Sequence, residues 1–167
     1  ALYHMCSGVS LTELPGLEPV LQHTGITTLP EVRRAVIVGT KISPGQPVTK
    51  PDGTVVRTLW GEIAWQLGKA EGYALVAGAD ATGTNPGDAL QKLFTKYSPC
   101  LILIDEWVAY VRQLVDTTGL PAGDFMAHMS FAQALTEAAV ASPRTMIVAT
   151  LPASDIEIGG QGGRLAL

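Results

Sequence analysis

Cysteine is scarce in this chain: Cys6 and Cys100 are the two thiols among 167 residues. Two cysteines make no disulfide framework of the kind that staples small secreted domains. Cys100 opens an aliphatic run, so both read as core thiols in a reducing cytoplasm. Basic residues are also few, 11 Lys and Arg against 15 Asp and Glu, for a net charge of −4. They form no cluster, which excludes the basic footprint of a nucleic-acid surface. No apolar run approaches the roughly 20 residues of a membrane helix, and Ala1 to Met5 carries no basic leader that would mark a signal peptide. The three histidines, His4, His23 and His128, lack the i, i+4 spacing of a helical metal site. The chain also has no Gly-Lys-Ser or Gly-Lys-Thr, the core of a phosphate-binding loop. What it does have is apolar bulk: 47% hydrophobic and 16% charged residues, in a length suited to one globular domain with a sizeable core.

The most informative stretch is Cys100-Leu101-Ile102-Leu103-Ile104-Asp105-Glu106. A continuous aliphatic run after Pro99 predicts a strand buried on both faces, as in the middle of a parallel sheet. It ends on two carboxylates at its C-terminal edge, where open α/β sheets place ligands. Four hydrophobics followed by Asp-Glu is the Walker B pattern of ATPases. In that pattern Asp105 holds magnesium, directly or through water, and Glu106 polarises the attacking water. Phosphoryl transfer needs both, because it is mostly positioning and charge neutralisation. The plainer alternative is a buried strand that happens to meet solvent at an acidic pair.

Two further aliphatic runs predict strands, Arg34 to Thr40 and Thr145 to Thr150. Between them helical spacing predicts Thr58 as the cap of a helix to about Ala70, with Leu59, Ile63 and Leu67 on one face. Residues 73–79 fit a short helix, and Asn85-Pro86 opens another that carries Leu90, Leu93, Phe94 and Tyr97. Trp107–Val115 and Pro121–Ala141 read as helices. Val9–Leu29 reads as loop-rich, and 43–54 is dense in turn formers, with Pro51-Asp52-Gly53 the strongest turn signal. Ala1–Gly8 resembles the last turns of a helix and Leu165–Leu167 a helix start. Strands alternating with helices predict a three-layer α/β fold, a parallel sheet with flanking helices and right-handed crossovers. The expectation is a single domain over 1–167, internal to a longer protein and open at both ends.

In order, these elements fit the P-loop NTPase fold after its first strand. The strand at 145–150 then takes the sensor position beside the Walker B strand, with Thr150 the first and Ser154 the second polar candidate near a γ-phosphate. Leu151 stands about where such sensors commonly carry Asn. The segments Ala1–Gly8, Thr58–Ala64, Asp80–Thr84, Leu101–Leu114 and Gly159–Gly163 together resemble the family built on domain of unknown function 499. That resemblance implies an AAA-plus-like ATPase core whose Gly-Lys-Thr loop would precede Ala1, with ATP and magnesium as cofactors. The Walker B and sensor patterns themselves make Glu106 and Thr150 the candidate catalytic residues, Asp105 the metal ligand, and Asp105 and Ser154 the residues against the nucleotide. The resemblance leaves a homo-oligomer open. It confines any nucleic acid contact to other parts of the longer protein, in DNA-related or defence work.

Other stretches carry weaker signals. Gly159–Gly163 lacks the Lys-Ser/Thr of a phosphate loop and reads as surface loop. Asp80–Thr84 reads as loop that could line a nucleotide cleft. Arg112 and Arg144 read as solvated, Trp107 as packing under the sheet edge. A non-catalytic α/β scaffold is the competing class. A metal-assisted hydrolase using the same two acids is a third, short of a ligand.

Overall fold

The three aliphatic runs form a parallel sheet in the computed structural model, which describes residues 2–151. In chain order the elements are α1 (Leu2–Met5), α2 (Glu18–Thr24), β1 (Arg33–Val38), the two-residue strands β2 (Val48–Thr49) and β3 (Val55–Val56), α3 (Leu59–Ala74), α4 (Ala77–Thr82), α5 (Ala89–Tyr97), β4 (Cys100–Asp105), α6 (Trp107–Val111), α7 (Phe125–Ala141) and β5 (Thr145–Ala149). The sheet order is β1-β4-β5. Ala35 lies opposite Ile102, which lies opposite Ile147, and Val38 lies opposite Asp105. The acid-bearing strand is therefore central and parallel to both neighbours, as its uninterrupted apolar run predicts.

One face of the sheet builds the core. Ala35 and Ile37 of β1 and Cys100, Ile102 and Ile104 of β4 are buried with Leu59, Trp60, Ile63 and Leu67 of α3, Leu90, Leu93 and Phe94 of α5, and Phe131 and Leu135 of α7. Each large apolar side chain so buried contributes about 1.5–3 kcal/mol, so this cluster dominates the stability. On the opposite face β4 is covered as expected, with Leu101 buried and Leu103 half-buried, but its neighbours are less so: Val36 is half-buried, and Met146 and Val148 are 54% and 36% exposed. Among the described residues the helices α3, α5 and α7 lie against one face, so the three-layer expectation is met only as a parallel sheet with flanking helices. α1 meets the other side through Arg34, whose guanidinium stacks 4.2 Å from the Tyr3 ring and donates to the Tyr3 carbonyl.

Several boundaries shift for local reasons. Asn85 does not cap a helix. Its side chain accepts from the Gly87 N–H at 3.2 Å in a turn, and α5 begins four residues later. Likewise α7 begins at Phe125 because Asp124 accepts from the Ala127 N–H at 2.8 Å, a better cap than anything at Pro121. The loop-rich stretch 9–29 holds α2, with Pro at its first turn and left-handed Gly25 at its end. The turn-rich 43–54 contains part of a small hairpin in which β2 pairs antiparallel with β3 around the expected Pro51–Gly53 turn. α3 runs past Ala70, but its backbone breaks at Lys69, close to the predicted end. Residues 73–79 are split between α3 and α4. Cys100 is buried as expected, and Cys6 only partly.

His128 joins α7 to the core from inside. It is fully buried, with Trp60 and Tyr110 ring centroids at 5.0 and 5.3 Å. Its Nε2 lies 3.0 Å from the Ala122 carbonyl, which can only accept. Nε2 therefore carries the proton, and Nδ1 is a bare acceptor without a partner among the described residues. Burial pulls its pKa from the usual 6.5 down to about 4, against smaller opposing contributions from the Ala122 carbonyl and Asp124. The unfolded chain then takes up a proton that the folded chain refuses. Stability is full above about pH 6.5 and declines as pH falls from there toward about 4. Denaturant melts at pH 7.0, 6.0, 5.0 and 4.5 should show this decline, and His128→Phe should flatten it between pH 6.5 and 5. An equal slope in that variant would remove His128 as its cause.

Candidate functional site

Parallel pairing delivers the C-terminal ends of all three strands to one edge, and four polar residues meet there. β4 ends at Asp105. Glu106 follows in the left-handed region, φ 53° and ψ 37°, and starts α6. A non-glycine residue held there costs on the order of 1 kcal/mol or more, so something must fix it. Thr150, just past β5, does so on one side. Its hydroxyl donates to Asp105 Oδ1 at 2.6 Å and accepts from the Glu106 N–H at 3.1 Å. Its own N–H donates to the Ile104 carbonyl at 2.9 Å, which extends the ladder one step past β5. Thr40, two residues past β1, holds the other side: its hydroxyl donates to Glu106 Oε2. Asp105 and Glu106 are both exposed. The site is a shallow acidic edge flanked by two hydroxyls.

The close approach of Glu106 to the end of β1 depends on Gly39. A Cβ at residue 39 would lie 2.1 Å from the Glu106 carbonyl oxygen and 3.1 Å from Tyr110 Cβ. That carbonyl accepts the first backbone bonds of α6, from the Ala109 and Tyr110 N–H groups. Gly39→Ala should therefore displace the Glu106 turn rather than relax locally. We expect a loss of about 1–3 kcal/mol, the usual range for overpacking, read in a denaturant melt. Amide chemical shifts should change at 105–110 and at Thr150. A variant as stable as the parent with unchanged shifts there would show that the approach is not constraining.

Thr150 thus stands where the sequence places it, in contact with both acids. Thr40 was missed as a site residue. The signal was a hydroxyl residue at the C-terminal end of an aliphatic run, but only pairing of β1 with β4 brings it to Glu106. Ser154, the glycine-rich 159–163 and Leu165–Leu167 lie outside the described residues. Arg112 is exposed in a 3-10 turn after α6, and Arg144 precedes β5 with φ 63°. Trp107 packs on Phe131, with ring centroids 6.2 Å apart. Among the described residues no group of three or more His, Cys, Asp or Glu converges on a metal-sized site. Two carboxylates and two hydroxyls are hard oxygen donors, the chemistry that suits magnesium when phosphate oxygens supply further ligands.

Asp80 is a correction. It belongs to α4, not to a loop lining a cleft, and it is fully buried. Its carboxylate accepts from the Arg57 N–H (3.1 and 3.2 Å), the Thr58 N–H (2.9 Å) and the Thr58 hydroxyl (2.6 Å). Tyr73 Oη lies 2.8 Å away and Arg57 Nη1 3.6 Å away. Thr58 in turn accepts from the Gly61 N–H, so Asp80 organises the first turn of α3 through its cap residue. A Cβ at residue 61 would lie 2.1 Å from Asp80 Oδ1, which explains a glycine inside the helix. Burial and the Asp80 carboxylate push Tyr73 up to about 12. Asp80→Ala orphans these buried donors at once. We expect a cost of about 3 kcal/mol and a melting point lower by roughly 6–12 °C. A drop under about 2 °C would mean that water replaces the carboxylate.

The fold and edge define an α/β domain with an acidic site at the C-terminal end of a parallel sheet. The chain belongs to the DUF499 N-terminal domain family, whose model matches residues 23–163. The Ala1–Gly8 segment lies outside that match. No curated protein and no solved structure matches the chain. No helix of the described residues is long and apolar enough to cross a membrane.

Proposed function

We propose that the acidic edge is the Walker B and sensor half of a magnesium–ATP site, in an AAA-plus-like P-loop ATPase. The observation that carries this is the hydrogen-bonded set Asp105–Thr150–Glu106 at the C-terminal edge of a central parallel strand. The order β1-β4-β5 supports it, since the P-loop arrangement requires the Asp-Glu strand to neighbour both the preceding strand and the sensor strand. Magnesium would neutralise phosphate charge. Asp105 would hold it directly or through water, with the Thr150 hydroxyl fixing the carboxylate. Glu106 would orient and deprotonate water, and Thr40 sets where its carboxylate sits. Most phosphate contacts in such a site come from a Gly-Lys-Ser/Thr loop, which this chain does not contain. These 167 residues alone should therefore bind ATP weakly or not at all, and micromolar affinity in calorimetry would overturn that.

The decisive contrast is between the two acids, in a form of the protein that also carries such a loop. Glu106→Gln should keep ATP affinity and lose about 10²- to 10⁴-fold in single-turnover hydrolysis, the contribution of a positioned base. Asp105→Asn should weaken both magnesium-dependent affinity and turnover. If both variants instead share a stability defect with no split between binding and hydrolysis, the pair is structural and the chain a non-catalytic α/β scaffold.

A further inference from the structure

β1 is the outer strand of the described sheet on one side, and an outer strand presents a row of unpaired N–H and C=O groups that invites a further strand. The Arg33 N–H donates across to the Pro99 carbonyl, on the β4 side. By the alternation of a strand, the odd-numbered peptide groups of β1 face β4, and those of Arg34, Val36 and Val38 face outward. At the middle of these three positions stands a side chain acting as a strand. Gln66 Oε1 accepts from the Val36 N–H at 2.7 Å, and Gln66 Nε2 donates to the Val36 carbonyl at 2.9 Å. Both contacts are half-buried. The amide is itself oriented: Nε2 also donates to Glu62 Oε1 at 2.8 Å, and Glu62 Oε2 pairs with Lys50 Nζ at 2.6 Å, with both side chains mostly shielded from solvent. Glu62 and Gln66 are one turn apart on α3, so both project to the same side of that helix.

We propose that Gln66 is an edge lock. Its carboxamide reproduces both hydrogen bonds of a paired residue, so it denies the free edge of β1 to any extended segment, above all to β1 of a second copy of this chain. Only glutamine among the common residues offers a donor and an acceptor in one plane at this reach. Asparagine is a methylene shorter, and glutamate would set a carboxylate against the Val36 carbonyl and against Glu62. Lys50 and Glu62 fix the orientation of the lock from the hairpin side.

The test is Gln66→Leu, similar in length and without hydrogen-bonding groups, beside Gln66→Ala and the parent. In the parent, the Val36 amide should exchange only through large-scale unfolding, its protection falling with denaturant like that of the β4 ladder. In Gln66→Leu its exchange should rise at least about tenfold while β4 keeps its protection. Sedimentation should then show a concentration-dependent larger species that the parent lacks. Local exchange at Val36 in the parent overturns the proposal without any variant. Unchanged Val36 exchange in folded Gln66→Leu overturns it, because something else then covers the edge. An exposed Val36 in a variant that assembles no further than the parent overturns the part concerning a second copy.

Discussion

The parallel ladder of β1, β4 and β5 is the constraint on which the rest depends. Parallel neighbours cannot be joined by a tight turn, so every connection must cross back over the sheet, and the crossovers carry the helices. Here the connection from β1 to β4 carries the hairpin, α3, α4 and α5, and the one from β4 to β5 carries α6 and α7. The same pairing collects the three C-terminal ends at one edge. Thr40, Asp105, Glu106 and Thr150 come from positions up to 110 residues apart, yet each stands within two residues of a strand end. Register does the rest. Val38 opposite Asp105 puts Thr40 beside Glu106, and Ile104 opposite Ala149 puts Thr150 beside Asp105.

Buried and half-buried polar groups tie the crossovers to one another and to this ladder. Asp80 makes α4 hold the start of α3, Gln66 makes α3 hold the edge of β1, and His128 makes α7 hold Ala122. The Ala122 N–H donates to the Pro44 carbonyl, in the segment that follows Thr40. These contacts add less energy than the apolar cluster, since a satisfied hydrogen bond nets about 0.5–1.5 kcal/mol. Their effect is on specificity. Each has one satisfying arrangement, so helices that apolar packing alone would let slide are fixed in place.

Where periodicity or a cap decided, the sequence was readable. The aliphatic runs give all three long strands, their parallel order and the central place of β4. Thr58 gives the start of α3. Thr150 was singled out as the polar residue that ends the aliphatic run 145–150. The rest was not local. Thr40 and Gln66 act across gaps of 66 and 30 residues, and only the tertiary pairing brings them to their partners. Asp80 sits in a polar, Gly-bearing stretch that looks like loop, and only its burial against Arg57 and Thr58 shows its role. The exposed Met146 and Val148 show the converse limit. An aliphatic run announces a strand, but not whether both of its faces are covered.

The acidic edge bears on its own interpretation through energy. Exposed hydrogen bonds and ion pairs contribute little, about 0–1 kcal/mol each. Glu106 in the left-handed region costs on the order of 1–3 kcal/mol. The Thr150 and Thr40 hydroxyls make three exposed contacts with the pair, together about 0–3 kcal/mol, so they offset that cost without a surplus. A glycine at 106 would relieve the backbone, and an amide at 105 or 106 would relieve the charge. Strain and like charge kept together at a strand's C-terminal edge, with both carboxylates oriented by hydroxyls from neighbouring strands, fit a site that waits for positive charge. A divalent ion at this edge would be attracted by both carboxylates. On the proposed reading, that ion would be the magnesium of a bound nucleotide.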